Sequence, residues 1–341
     1  MARVLFAFLT VGLLAACGKG TPITSGTPTP PPTPPPAVTA QYPIPTASSE
    51  PKGIAQGSDG NLWVTEFRPS KIAELLHNGK FSENVTPTRG AGPTGIASGS
   101  GPNLNVWFTE TSIGKIGQIT TAGAPFVEYA MPSSDSTPVG IALGSDGNMW
   151  VTDPGTNSVW RIQQIKHKPF VKFTQFKLTG DAKPMAITTG PDDALWFTEA
   201  GTNKIGRLPI SGYPLSEYKI TTANADPVGI CPGSDNAVWF TESRAKQIAR
   251  MTTNGILTAE YPLKNAGSPN QILQGVDGNF YFTDTAANKI GQFFFKGHAV
   301  NYYGIPTKDS GPTAMTLGTD NQIYFVETTG NKVGQFRYFT V

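Results

Sequence analysis

Short apolar runs recur along the chain, and each begins with an aromatic residue and ends with an acidic one. The aromatic residues that open the seven runs are Trp63, Trp107, Trp150, Trp196, Trp239, Tyr281 and Tyr324, at steps of 42 to 46 residues. Runs of this length and composition predict buried strands. A period of about 40–45 residues with strand-like content is typical of propeller blades. The pattern therefore predicts an all-β, seven-bladed β-propeller.

Each repeat divides into four strands, A to D. In the first repeat, strand A follows Pro51, residues 57–61 form a turn with an Asp-Gly pair suited to a tight hairpin, and strand B is the aromatic run. In the second repeat, residues 115–119 (Lys-Ile-Gly type) predict strand C and residues 127–130 predict strand D. We expect four-stranded blades over residues 41–341.

The last repeat ends soon after its strand C and lacks a clear strand D. Residues 41–45, before the first strand A, have the character of a strand D without a blade. We expect this N-terminal strand to complete the last blade, because closing the ring removes an exposed edge.

The first 17 residues read as a targeting segment. An apolar stretch over residues 4–16 is too short to span a bilayer and ends in Leu14-Ala15-Ala16-Cys17. This resembles the bacterial lipobox, in which cleavage leaves an acylated cysteine. An ordinary secretory signal is the alternative. Residues 18–40, rich in proline, predict an extended tether that packs no core. The expected localisation is the cell envelope, outside the cytoplasm, with membrane attachment through Cys17.

The composition of the chain limits the classes of binding partner that we expect. The chain has 26 basic and 24 acidic residues with no basic block, which disfavours nucleic acid. Of its two cysteines, Cys231 lies in an apolar run and is expected to be a small buried residue. We expect the propeller to be monomeric.

Strand A should line the narrow channel, so the second residue after its proline should be small. It is Gly or Ala in six repeats, at Gly53, Gly95, Gly140, Ala186, Gly229 and Ala314. The sixth repeat has Asn270-Gln271 instead, which makes Gln271 the one bulky polar residue at this position. We expect Asn270 and Gln271 to contribute to a ligand site.

The acids that end strand B would form a ring: Glu66, Glu110, Asp153, Glu199, Glu242, Asp284 and Glu327. Such oxygens could bind a hard cation, with Glu66, Glu110, Glu199 and Glu242 as the candidate ligands. The alternative is hydrogen bonding to loops or pairing with the lysines downstream, Lys71, Lys115, Lys204, Lys246, Lys289 and Lys332. The third repeat has no such lysine, so Asp153 is expected to be the unpaired acid.

The repeated Pro-x-Gly-Ile, Trp-Phe-Thr-Glu and Asn-Lys-Ile-Gly-Arg motifs resemble the streptogramin B lyase (virginiamycin B lyase) family over about residues 40–341. The resemblance implies a seven-bladed propeller and a magnesium-assisted elimination that opens a cyclic depsipeptide ester, with histidines after the strand A proline serving the metal and the proton transfer. The corresponding residues here contain no histidine: Lys52, Thr94, Val139, Met185, Val228, Asn270 and Thr313. The three histidines, His77, His167 and His298, are expected in or beside C–D hairpins on the opposite face.

Three functions remain open at this point. The first is binding of a small molecule or an envelope protein at the channel mouth, with Lys52, Asp153, Asn270 and Gln271 as candidate contacts. The second is a carbon–oxygen lyase with rearranged catalytic residues, which would use Mg²⁺. The third is a structural envelope protein.

Overall fold

The computed structural model describes residues 35–99, 105–165 and 170–338. Within them the chain forms 28 strands in seven four-stranded antiparallel sheets, with one short 3₁₀ helix at Thr111–Ile113. The predicted seven-bladed, all-β architecture is confirmed.

The strands follow one another from the channel outward in each blade. Blade 1 contains β2–β5, at Pro51–Gln56, Leu62–Glu66, Lys71–Leu75 and Phe81–Val85. Blade 2 contains β6–β9, at Pro93–Ser98, Asn105–Glu110, Lys115–Thr120 and Gly123–Ala130. Blade 3 contains β10–β13, at Ile141–Leu143, Met149–Asp153, Ser158–Gln164 and Val171–Lys177. Blade 4 contains β14–β17, at Pro184–Thr189, Leu195–Glu199, Lys204–Leu208 and Ser216–Lys219.

The second half of the ring repeats this order. Blade 5 contains β18–β21, at Pro227–Gly233, Ala237–Glu242, Gln247–Thr252 and Leu257–Pro262. Blade 6 contains β22–β25, at Pro269–Gln274, Phe280–Asp284, Lys289–Phe293 and Val300–Gly304. Blade 7 contains β26–β28, at Pro312–Leu317, Ile323–Glu327 and Lys332–Arg337, together with β1 at Ala37–Pro43.

The N-terminal strand closes the ring, as the sequence predicts. β1 pairs antiparallel with β28, and Tyr42 lies opposite Val333. Asn331 holds the segment after β1 in place. Its side chain donates to the carbonyls of Ile44 and Thr46 and accepts from the amide of Ser49. The strand begins at Ala37, four residues before the boundary expected for the propeller. The signal segment, Cys17 and most of the proline-rich segment lie outside the described residues.

Small residues in strand A allow neighbouring blades to approach. A Cβ added to Gly95 would lie 2.1 Å from the carbonyl oxygen of Val139 in the next blade, and one added to Gly53 would lie 2.4 Å from that of Thr94. These contacts are shorter than any side chain tolerates, so glycine is required where the strands converge.

A threonine in strand B joins each of the first six blades to the next. In blade 5 the Thr241 hydroxyl accepts from the amide of Gly229 at 2.9 Å and donates to the carbonyl of Asn270 in blade 6 at 2.5 Å. The same hydroxyl position is filled by Thr65, Thr109, Thr152, Thr198 and Thr283. Blade 7 has Val326 there, and Thr328 bonds the Pro51 carbonyl of blade 1 instead.

The hydrophobic core lies between blades. In one cluster, Trp196 of blade 4 packs with Ile230 and Phe240 of blade 5. Strand C carries glycine where strand B carries a large ring: a Cβ on Gly117 or Gly206 would lie 2.1 Å from Phe108 or Phe197. The Lys-Ile-Gly motif is thus a packing requirement.

Two smaller observations complete the fold. Cys231 is buried, as expected for a small core residue, and burial raises the pKa of its thiol. No helix within residues 35–99, 105–165 and 170–338 has the length and apolar character needed to cross a bilayer.

Candidate ligand site at the channel mouth

A cavity of about 230 Å³ lies in the channel where the A strands meet. Every blade contributes to its wall a residue in strand A or just before it: Lys52, Thr94, Val139, Met185, Val228, Gln271 and Ala314. The residue after each strand A proline lies on the face that carries the D–A and B–C loops. We call the seven residues at this position the mouth ring: Lys52, Thr94, Val139, Met185, Val228, Asn270 and Thr313.

The mouth ring has an apolar side and a polar side. Blades 3, 4 and 5 contribute Val139, Met185 and Val228 in succession, whereas the remaining four blades contribute polar residues. Lys52 is the single charged member, and its ammonium lies 5.7 Å from the centroid of the Phe67 ring. The mouth therefore combines an apolar side with one lysine amine.

Hydroxyl groups from the B–C loops hold the polar side in place. Thr111 donates to the hydroxyl of Thr94 at 2.7 Å, and Thr328 and Thr313 share a hydrogen bond of 2.9 Å. The amide of Asn270 lies 3.3 Å from the Thr285 hydroxyl. These contacts orient the mouth ring before any ligand binds, which lowers the entropy cost of binding.

The candidates from sequence separate into two groups. Lys52 and Gln271 line the same cavity, and Asn270 precedes Gln271 in β22. Asp153 does not line this cavity and is fully buried at the end of β11.

The expectation that Asp153 is unpaired is wrong. Its carboxylate accepts from the amides of Thr137 and Thr156, from the Thr156 hydroxyl and from the Trp160 indole. Asp284 similarly accepts from three loop amides. The shorter aspartate side chain places the carboxylate beside the loop backbone, so hydrogen bonds to the loops explain these two acids.

The glutamates at the end of strand B differ from the aspartates. Glu110 is fully buried, and neither of its carboxyl oxygens makes a well-formed hydrogen bond. Lys115, opposite it in the ladder, contacts Glu128 of strand D instead, with 2.7 Å between Nζ and Oε2. The same inner and outer glutamates face each other in four blades, as Glu66 with Glu83, Glu110 with Glu128, Glu199 with Glu217 and Glu242 with Glu260.

Pairing of the strand B acid with the downstream lysine is therefore wrong for blades 1, 2 and 4. There the lysines contact the outer glutamate, at 2.7, 2.7 and 3.7 Å. The outer position keeps both charges partly hydrated, so the ion pair forms there at lower desolvation cost than at the buried inner acid. In blade 5, Gln247 begins strand C, and Lys246 lies before it.

The inner glutamates hold protons near neutral pH. Burial is the main cause that raises the pKa of Glu66 and Glu199 to about 7 and of Glu110 and Glu242 to about 8, and repulsion from the facing outer glutamate contributes to these values. Burial also acts to raise the pKa of Glu128, but hydrogen bonds from Lys115 and Thr88 lower it overall. In the pairs Glu66–Glu83, Glu110–Glu128 and Glu242–Glu260, the inner carboxyl group therefore binds a proton more readily than the outer one.

The four inner glutamates do not fit a magnesium site. Mg²⁺ needs several oxygen ligands around one point, whereas these side chains belong to four different blades and each faces its own strand D glutamate. Within the described residues, no three or more His, Cys, Asp or Glu side chains are grouped as metal ligands. Each of the four contacts the strand D glutamate of its own blade instead.

Two of the three histidines lie where the sequence places them. His77 is in the turn after β4 and His298 is in the turn after β24, on the face opposite the mouth ring. His167 is outside the described residues. The mouth ring therefore has no imidazole.

Sequence reasoning missed the outer glutamates. Their signal was present, because Glu precedes Tyr in three D strands, at Glu128-Tyr129, Glu217-Tyr218 and Glu260-Tyr261. The tyrosine stacks on the tryptophan of its blade, for example Tyr218 on Trp196 at 5.9 Å. Strand alternation then directs the preceding glutamate to the other side of the sheet.

Fold and site together define a seven-bladed propeller with a preformed mouth at one end of its channel. The profile of the virginiamycin B lyase family matches residues 36–168 and 164–339, so the chain belongs to that family. A virginiamycin B lyase from Nocardia farcinica (strain IFM 10152) is 29% identical over 99 residues, which is 29% of this chain and 34% of that protein.

Solved structures agree over a longer span. Virginiamycin B lyase from Staphylococcus aureus is 33% identical, with a TM-score of 0.80, over 88% of this chain and 99% of that one. A catalytically inactive histidine-to-alanine variant of the S. aureus enzyme with quinupristin is 32% identical, with a TM-score of 0.79 over 88% and 99%.

Proposed function

We propose that this propeller binds a small amphipathic ligand at its channel mouth and does not carry out the elimination chemistry of the lyases. The observation that supports this most directly is the composition of the mouth ring, which has one lysine, three apolar side chains, three uncharged polar ones and no histidine. An elimination needs a base with a pKa near the working pH beside the substrate. The inner glutamates have such pKa values but are fully buried and do not line the mouth cavity.

The proposed ligand has an apolar body and a carbonyl or carboxylate oxygen. The body would contact Val139, Met185 and Val228, and the oxygen would bind Lys52. Gln271 offers both a donor and an acceptor deeper in the channel. We also propose that the protein acts at the cell envelope, held by lipid on Cys17, on the strength of the sequence before the propeller.

Quinupristin is a suitable probe, because the inactive S. aureus variant was studied with it. We expect calorimetric titration to show binding to the purified propeller. Lys52→Ala should weaken binding by about tenfold, the cost of one charged hydrogen bond. The matched control is Lys80→Ala, in the C–D turn of blade 1 on the opposite face, which should leave affinity unchanged. No binding to the parent, or equal binding by both variants, would contradict the proposal.

Family membership favours a second candidate, a lyase whose catalytic groups have moved. It predicts that the same titration ends in ring-opened quinupristin. Recovery of the intact ligand by chromatography separates binding from turnover.

A further inference from the structure

A second cavity lies on the opposite face, at the seam between blade 7 and blade 1, and has a volume of about 270 Å³. The turns of blade 1, strands B and C of blade 7 and the closing strand β1 contribute to its wall. Its polar lining comes mainly from Tyr42, Asn61, His77, Asp320, Tyr324 and Gln335. We call it the seam cavity.

Blade 4 shows one way in which this place is filled. Its Arg207 lies with Nη2 2.7 Å from Asp192 Oδ2 and with its guanidinium carbon 5.9 Å from the centroid of the Trp196 ring. Blade 5 repeats the ion pair, with 2.6 Å between Arg250 Nε and Asp235 Oδ2. An aspartate, an aromatic ring and an internal guanidinium thus form a filled site.

Blade 7 also has an aspartate at this place, Asp320, but it has smaller side chains at the other two positions, Tyr324 and Gln335. Tyr324 pairs with Gln335 in the same register as Trp196 with Arg207. Asp320 Oδ2 accepts from the Tyr324 hydroxyl at 3.0 Å and from Gln335 Nε2 at 3.1 Å. Both donors are neutral, and among the described residues Asp320 has no ion pair of the kind that Asp192 and Asp235 make.

The seam between blades 6 and 7 also has a tyrosine and a glutamine at these positions, but there another side chain fills the space. Between blades 6 and 7, Tyr281 and Gln292 occupy these positions, and the Tyr338 ring packs 4.7 Å from that of Tyr281. The Tyr338 hydroxyl accepts from the amide of Val276, which fixes the ring there. The open space at the seam cavity is therefore not a general consequence of having tyrosine and glutamine.

The opposite wall presents a further acceptor. Asn61 directs its NH₂ group to Glu74 and Asp59, so its oxygen faces His77. His77 Nδ1 lies 2.7 Å from that oxygen and must donate to it. In the tautomer with its proton on Nδ1, the ring has Nε2 as an acceptor near the cavity.

We propose that the seam cavity binds a small organic cation bearing a guanidinium group, which takes the place that Arg207 fills in blade 4. The guanidinium would bind the Asp320 carboxylate and lie near the rings of Tyr42 and Tyr324, where cation–π attraction adds to the ion pair. Its aliphatic portion would contact Leu75 and Leu76.

The test uses arginine amide as the cation and citrulline amide, its neutral analogue of similar shape, as the matched ligand. Arginine amide should bind saturably in calorimetry, and citrulline amide should bind at least about tenfold more weakly. Gln335→Arg should abolish binding, because it supplies the internal guanidinium of blades 4 and 5. Asp320→Asn should weaken binding about tenfold.

A control variant makes the result decisive. Asp309→Asn, which changes an exposed aspartate in a loop on the mouth face, should leave arginine amide affinity unchanged. A capped Gly-Arg-Gly peptide that binds more tightly than arginine amide would assign the guanidinium to a partner protein, and the reverse order would assign it to a free small molecule. Either order supports a guanidinium site. Absence of arginine amide binding, equal binding of citrulline amide, or full affinity in folded Gln335→Arg would overturn the proposal.

Discussion

The hydroxyl of Thr241 in blade 5 donates to the backbone carbonyl of Asn270 in blade 6. Because it also accepts from the Gly229 amide, one side chain joins strands A and B of its own blade to strand A of the next. The ring is held by six such hydroxyls in addition to its core. The carbonyls they bind belong to the mouth ring, so the joints between blades also set the shape of the candidate ligand site.

Replacing Thr241 with valine should weaken the joint without changing side-chain shape. The loss leaves a buried amide and a buried carbonyl without their partner, at a cost of about 1–3 kcal/mol. We expect a melting temperature lower by a few degrees. Thr253→Val, in the C–D turn of the same blade, is the matched control and should be nearly neutral. Equal melting temperatures for the two variants would argue against the joint.

The paired glutamates predict a pH dependence of stability. Glu110 and Glu242, with pKa values of about 8, and Glu66 and Glu199, with values of about 7, bind protons more tightly in the folded chain than their ordinary value of 4.5 allows. The folded state therefore holds more protons than the unfolded state between about pH 4.5 and 8, and stability falls as pH rises through that window.

Glu110→Gln tests this dependence, because glutamine is neutral and similar in shape. Thermal unfolding measured from pH 5 to pH 9 should show a decline for the parent and a shallower one for the variant. Thr253→Val should keep the parental slope. A parental melting temperature that rises across this range would show that the inner glutamates are ionised in the fold.

The closing strand should be essential to the ring. Deleting residues 38–47 removes most of the pairing between β1 and β28 and the loop that Asn331 holds. The exposed β28 edge should lower the melting temperature by several degrees or cause aggregation. Light scattering and thermal unfolding measure both effects. A deletion variant as stable and monomeric as the parent would contradict the role given to β1.

The lipidation prediction rests on sequence alone. Mass spectrometry of the mature protein should find an acylated N-terminal Cys17 with no residues before it. Cys17→Ser should release the protein from the membrane fraction. An intact N-terminus, or an unmodified cysteine in the soluble fraction, would remove the basis for placing the propeller at a membrane.

The repeats made the fold predictable because each blade restates the same local requirements. The period of the aromatic runs, the small residues of strand A and the strand D character of residues 41–45 each have one structural explanation. The acidic ring was less predictable, because the choice of Lys115 between Glu110 and Glu128 depends on burial, which the sequence does not display. The seam cavity was missed because it arises from two shortened side chains in one repeat.

The central claim is that this member of the virginiamycin B lyase family binds at the mouth without opening a ring. The most direct measurement is incubation of residues 38–341 with virginiamycin B and magnesium, followed by chromatography of the depsipeptide. We expect the cyclic form to persist, because loss of a general base alone lowers the rate by about 10²–10⁴-fold. Robust ring opening that chelation abolishes would contradict the account and would direct mutagenesis to Lys52, Asn270 and Gln271.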